Sequence, residues 1–217
     1  MLRGRTALAV ALPLLIAGVL VAGARRSAVA APGEAGAGLS RDKLRRAEQR
    51  RDALLARLGL AEAPGALSIV VRKAQRRLTL DGDGRELLRC RVGLGTSPVG
   101  VKGRRGDGRT PEGTYRICTR NPHSQFHLFL GLNYPNEADA DRGLAARLIS
   151  SAQHRLLVRA AREGGKPSWE TALGGTVGIH GNGSDQDWTL GCIALDDADI
   201  ETLWGLCPIG TPVTIEP

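Results

Sequence analysis

The sequence predicts a mainly β fold with α additions, and three observations carry that prediction. The stretch "LSIVVRKAQRRLTLDGDGRELLRCRVGLG" holds two alternating apolar runs on either side of Asp-Gly-Asp-Gly, a β-hairpin signal. "TPEGTYRICTR", "FHLFLGLNY", "TVGIHG" and "GTPVTIEP" are further short strand candidates punctuated by Gly, Pro and Asn. Only residues 40–60 and 138–163 switch to helical spacing over any length. At 217 residues and 42% hydrophobic, the chain suits one medium domain plus an N-terminal extension.

The extension comes first. Arg3 and Arg5 precede an apolar run over residues 7–22, and small residues follow at 28–31, the order of a secretory signal peptide with cleavage near Ala30. Arg25 and Arg26 interrupt that order and equally suit an uncleaved signal anchor. Either reading puts the protein in the periplasm or cell envelope. Residues 31–39, "APGEAGAGL", have the composition of a linker. Residues 40–60 predict a basic amphipathic helix: Leu44, Ala47, Leu54, Leu55 and Leu58 form its stripe, Ser40 its N-cap and Gly59 its stop. Its charged face is either solvated or in contact with anionic envelope polymers. A domain over 67–217 follows. Leu144, Leu148, Leu156 and Val158 predict one or two helices inserted over 138–163, and "DDADIETLW" predicts a short helix capped at Asp196.

The net charge of +8 invites a nucleic-acid reading, and its distribution removes it. Residues 1–30 hold four arginines and no acid, and residues 41–57 hold seven basic against three acidic side chains. The remaining body, 61–217, is nearly neutral with nineteen basic and eighteen acidic residues, and the chain has only seven aromatics to stack on bases. The four cysteines, Cys90, Cys118, Cys192 and Cys207, show no C-x-x-C spacing, so a thiolate zinc cage lacks support and no cofactor is implied. If one cysteine is a nucleophile, the other three form at most one disulfide or serve as small buried residues.

"IHGNGSDQDWTLGCIAL", residues 179–195, concentrates the chemistry. A cysteine is a strong nucleophile only when ionised, so it needs a base. His180, at a strand end, can reach Cys192 across the loop "NGSDQDWTL". In that arrangement the Gly181 carbonyl fixes the imidazole tautomer, and N–H groups of Gly191 and Cys192 hold an oxyanion. A competing reading uses His180, Cys192, Asp185 and Asp187 as zinc ligands.

The motif does not stand alone. "GIHG…TLGCIAL", "VGLGTSPVGVKGRRGDGRTPEGTYRI", "NPHSQFHLFLGLNYPN" and the terminal "GTPVTI" together resemble the L,D-transpeptidase catalytic domain, the YkuD-like family, over residues 67–216. The Tyr-Pro-Asn segment resembles the branch that includes a periplasmic enzyme acting on peptidoglycan-linked lipoprotein. The resemblance implies a β-sandwich-like catalytic domain and acyl transfer on peptidoglycan stem peptides. In that chemistry Cys192 attacks the L-centre carbonyl of diaminopimelate, expels D-alanine and leaves a thioester for an amine, including one on a lipoprotein, or for water. A hydrolase or amidase of the same fold, and a non-catalytic wall-binding module, are the alternatives.

Two positions depart from the family pattern. Leu190 stands where many members have histidine, after a short gap from the first histidine, and Ala194 where arginine is frequent. Carboxylate recognition then falls to Arg109, Lys102 or Arg120. Thr189 keeps a hydroxyl for local hydrogen bonding. His127 and Tyr134 are candidates to line the pocket, with Asn133 shared between turn and substrate contact. His123 and His127 do not suit a helical metal pair, and His154 suits a surface or interhelical position. The helices of 138–163 are the candidate wall or lid of that pocket.

Overall fold

The protein is described by a computed structural model over residues 32–217; residues 1–31, with the expected signal peptide or anchor, lie outside the described residues. Helix α1 (Pro32–Leu58) opens the described chain, so residues 32–39 are helical and not a linker. Pro32 suits a first helical position, where its missing N–H is no loss, and Ala35 and Ala37 offset the intervening glycines. Ser40 is therefore inside the helix and caps nothing. Its Oγ lies 2.7 Å from His123 Nδ1 and donates to the Pro122 carbonyl at 3.3 Å.

Three antiparallel strands follow: β1 (Leu67–Arg72), β2 (Arg77–Gly82) and β3 (Arg85–Arg91). The first run of the expected hairpin is thus itself two strands, split at 73–76, a turn without an apolar side chain larger than alanine. Arg76 takes φ 46° in that turn. The second turn is the expected one: Asp83 and Gly84 both have positive φ, 50° and 79°, as a two-residue hairpin turn requires.

Strands β4 (Gly113–Asn121) and β5 (Phe129–Leu132) lead to helices α2 (Glu137–Ala145) and α3 (Ser151–Arg162). Short strands β6 (Gly178–His180) and β7 (Ile193–Ala194), helix α4 (Asp197–Leu206) and strand β8 (Pro212–Glu216) complete the domain. The sheet order is β3-β2-β1-β8-β4-β5-β6-β7, with β8 parallel to β1 and antiparallel to β4. β4 breaks register between Ile117 and Thr119. Such an irregularity bends a strand, and the residues beyond β3 return to the far edge, where Gly93 bridges Ala194 of β7. The sandwich-like expectation is met as one mixed sheet curled into a half-barrel.

The main core fills the curl with fully buried side chains such as Ile69, Leu78, Ile117, Leu130 and Ile193. α1 closes one side through Ala47, Leu54 and Leu55, while Arg41, Arg45 and Arg57 remain in solvent. α1 lies against α4 so closely that a Cβ on Gly205 would sit 2.5 Å from the Ala47 carbonyl oxygen.

α2 and α3 form a separate small core of Ala140, Ile149, Leu157 and Leu173, each helix opened by a capping box. His154 Nε2 joins Asp141 at 2.6 Å, the interhelical of its two expected positions. They are neither wall nor lid of the cavity that His180 and Cys192 line. Leu173 belongs to the loop 163–177, and a Cβ on Gly143 would lie 2.6 Å from it, so α2 anchors that loop. The loop, not the helices, reaches the site.

Candidate active site

The parallel register of β6 and β7 pairs Ile179 with Ile193 and His180 with Ala194. Side chains alternate along a strand, so Cys192, one residue before β7, falls on the same face as His180. Both line one cavity of about 450 Å³. The imidazole is 2% exposed, and its Nδ1 lies 2.8 Å from the Gly181 carbonyl oxygen. A carbonyl only accepts, so Nδ1 carries the proton and Nε2 is left with its lone pair. Phe126 stacks on the ring at 4.8 Å between centroids, and Trp188 meets it edge-on at 5.5 Å. Burial lowers the His180 pKa, with the Gly181 carbonyl opposing. The resting imidazole is neutral at pH 7.

Cys192 is half-buried and its thiol donates to the Thr176 carbonyl at 3.4 Å. Thr176 holds φ 55°, an uncommon conformation for a β-branched residue, and this places that carbonyl against the nucleophile. Burial pushes the thiol up to about 11, against the Gly178 N–H and the Lys102 charge, which lower it. The pair therefore rests as neutral thiol and neutral imidazole.

Thr189 Oγ1 donates to the Cys192 carbonyl at 2.8 Å and accepts from the Gly191 N–H at 3.1 Å. This corrects one expectation: the Gly191 N–H is already used, which leaves the Cys192 N–H as the backbone donor open to a ligand among the described residues. Gly191 has φ 134°, and a Cβ there would lie 2.6 Å from the Arg109 carbonyl oxygen. Lys102 is 4% exposed and also lines the cavity. Its Nζ binds Asp107 Oδ1 at 2.7 Å and the Arg104 carbonyl at 3.2 Å, so one of its three N–H groups is uncommitted.

Other expected residues lie elsewhere. His127 has φ 68°, which turns its ring to α4, where Nε2 meets Glu201 at 2.9 Å; it does not line the cavity. Tyr134 is buried and donates to the Leu173 carbonyl at 3.0 Å, a structural bond under the loop. Asn133 Oδ1 accepts from the Arg116 N–H at 2.7 Å, again structural. Arg109 donates to the Val101 carbonyl at 3.3 Å and borders a separate surface cavity. Asp187 accepts from Arg76 and from the Leu94 N–H, so the zinc reading loses a ligand. No group of three or more His, Cys, Asp or Glu able to hold a metal occurs among the described residues. All four cysteines are free thiols, with Cys90 and Cys207 buried.

Cys192 also borders a second, larger cavity of about 820 Å³; Phe126, Trp169 and Thr176 line both. None of these three was legible as a site residue. They come to the cavities from segments distant in sequence, with no local motif to mark them, and Thr176 meets the thiol.

The model of the L,D-transpeptidase catalytic domain matches residues 66–215. The chain belongs to this family. Among solved structures, an L,D-transpeptidase (residues 123–326) from Xylanimonas cellulosilytica is 16% identical, with 78% of this chain and 76% of that one covered and a TM-score of 0.40. One from Mycobacterium smegmatis is 12% identical, covering 70% and 58%, TM-score 0.41, and Bd1075 from Bdellovibrio bacteriovorus is 21% identical, covering 69% and 47%, TM-score 0.43. The chain thus spans about half of the last two. No curated protein matches.

The two departures from the family pattern have physical settings in this L,D-transpeptidase domain. Leu190 is 78% exposed and forms an apolar lip of the smaller cavity. Ala194 is fully buried, exchanging two backbone hydrogen bonds with Gly93 where the sheet closes on itself.

Proposed function

We propose that the protein is a cysteine-dependent L,D-transpeptidase of the cell envelope that acts on peptidoglycan stem peptides through a thioester. The observation that carries the reading is the His180 tautomer: with Nδ1–H held by Gly181, Nε2 is a ready base in the cavity that Cys192 lines. His180 Nε2 takes the thiol proton as sulfur attacks the carbonyl of the diaminopimelate L-centre. The Cys192 N–H and the uncommitted N–H of Lys102 hold the oxyanion. The C–N bond breaks, and D-alanine leaves with the proton that His180 returns. An amine acceptor, free or on a lipoprotein, then gives a cross-link, and water gives hydrolysis; both use the same pair.

The test is intact-mass analysis after exposure to a stem tetrapeptide or a carbapenem, with the modified residue mapped. An adduct on Cys192, lost in Cys192→Ala, supports the reading. Turnover retained in Cys192→Ala overturns it. Export is tested separately: recovery of the intact N-terminus in the cytosol contradicts an envelope location.

A further inference from the structure

The resting thiol of Cys192 gives its single hydrogen to a main-chain oxygen. Sγ donates to the Thr176 carbonyl at 3.4 Å, and among the described residues no other donor reaches that oxygen. Thr176 lines both cavities beside Cys192. Its carbonyl has little freedom to turn away, because the flanking chain is bonded on several sides. The Ala172 carbonyl accepts from the Arg105 N–H at 2.8 Å, the Leu173 carbonyl from the Tyr134 hydroxyl at 3.0 Å, and the Val177 carbonyl from the Leu132 N–H at 2.9 Å. A Cβ on Gly175 would lie 2.3 Å from Trp169 Cβ, so the turn is pressed onto that side chain. Anchors of this kind let Thr176 keep φ 55°.

Acylation removes the hydrogen that this oxygen accepts. A thioester sulfur donates nothing, so the Thr176 carbonyl is left without a donor beside the carbon that is attacked next. His180 Nε2 is a second acceptor in the same cavity. Two acceptors around one reacting carbon suit a nucleophile with two hydrogens, one that passes to the imidazole and one that stays and binds the carbonyl. A neutral primary amine carries both, and a secondary amine only one.

We infer that the Thr176 main-chain carbonyl positions the acceptor amine and selects primary amines over secondary ones. The inference rests on the reading that Cys192 is acylated and then transfers its acyl group. In that step the amine nitrogen bonds to the thioester carbon and one N–H proton passes to His180 Nε2. The C–S bond breaks, and the sulfur takes that proton as the amide is released. The second N–H stays on Thr176 until the reformed thiol replaces it. Water also carries two hydrogens, so this contact does not suppress hydrolysis.

The test uses two isomeric acceptors, alaninamide, a primary amine, and sarcosinamide, a secondary one. Cys192 is acylated with a small thioester, and the ratio of the two transfer rates is compared with that of the same thioester free in solution. The wild-type protein is expected to raise the preference for the primary amine about tenfold, the scale of one polar group left unsatisfied. Replacing Val177 by its α-hydroxy acid converts the Thr176 carbonyl to that of an ester, a weaker acceptor, with every side chain kept. The N–H lost in this way donates to no group among the described residues. This variant should lose most of the preference, and Thr176→Gly, which adopts φ 55° freely and keeps the carbonyl, should retain it. A wild-type preference equal to that in solution overturns the inference without need of any variant. So does a preference undiminished in the ester variant, or an equal slowing of both amines there, which marks a structural role. Acylation by a stem tetrapeptide is measured alongside. Stem acylation without amine selection refutes the positioning role and leaves the proposed function standing; amine selection without stem acylation does the reverse. No acylation of Cys192 by either donor overturns both.

Discussion

The environment of Cys192 and His180 sets a pH dependence whose sign follows from burial. His180 is held below the ordinary imidazole value and Cys192 is pushed up to about 11, so both neutral forms are stabilised by the fold. The His180 contribution is present above about pH 6.5 and is lost as pH falls through its lowered folded value; that of Cys192 is present below the ordinary thiol value and is lost as pH rises through about 11. Acylation by a thiol this weakly acidic depends on its base at neutral pH. His180→Gln is expected to slow it at least about a hundredfold at pH 7, and its thiol-alkylation profile should show a single rise centred near pH 11, with no recovery at 8.5. Coincident profiles in mutant and wild type would remove His180 as base. At Gly191 the expected effect is steric: Ala must adopt φ 134° with Cβ against the Arg109 carbonyl, a loss of about 1–3 kcal/mol in thermal unfolding with acylation impaired. The residues legible in the sequence, His180, Gly181, Thr189 and Cys192, lie within one short motif. His127 and Tyr134 were misplaced because side-chain direction there depends on a positive φ and on a buried loop, neither of which leaves a local signal.

Helix α1 acts on the site at a distance. Lys43 Nζ donates to the carbonyls of Ser124 and His127 at 3.3 and 2.8 Å, and Arg46 Nε meets the buried Glu201 of α4 at 2.6 Å. Glu201 in turn holds His127. The segment 121–127 is thereby clamped from both helices, and it carries Phe126, whose carbonyl accepts from the Gly181 N–H at 3.0 Å while its ring packs on His180. Gly205→Val, which forces α1 off α4, should raise hydrogen exchange across α1 and 121–127 and lower the acylation rate, with β1 and β2 still protected. Equal exchange in both proteins would disprove the clamp. The helical stripe of α1 was legible from spacing, but its start was not, because glycine-rich composition weighs toward a linker when no partner surface is visible. The inserted helices were legible as helices and misread as a wall or lid, since their contact with Leu173 joins residues far apart in sequence.

The half-barrel depends on single polar residues as much as on its apolar core. Lys73, 2% exposed, donates to Glu112 Oε1 at 2.7 Å and to the Gly100 and Thr110 carbonyls at 2.8 and 3.1 Å, so its three N–H groups each have a partner. It ties the β1–β2 turn to the loop that carries Lys102. Lys73→Met leaves the Glu112 carboxylate uncompensated and is expected to destabilise by about 3–5 kcal/mol, read by denaturant unfolding. The sequence identified most of the strands through alternation and turns, but not their order, which is written in pairings between distant segments. β8 is the clearest case: residues 212–216 lie in the middle of the sheet, hydrogen-bonded to β1 on one side and β4 on the other. Without that stretch, β1 and β4 would each present an unpaired edge, and the two halves of the sheet would be hydrogen-bonded only through the segment after β3, where Gly93 bridges Ala194. Open edges of that kind are templates for pairing with another chain, so this one short strand also guards the domain against self-association.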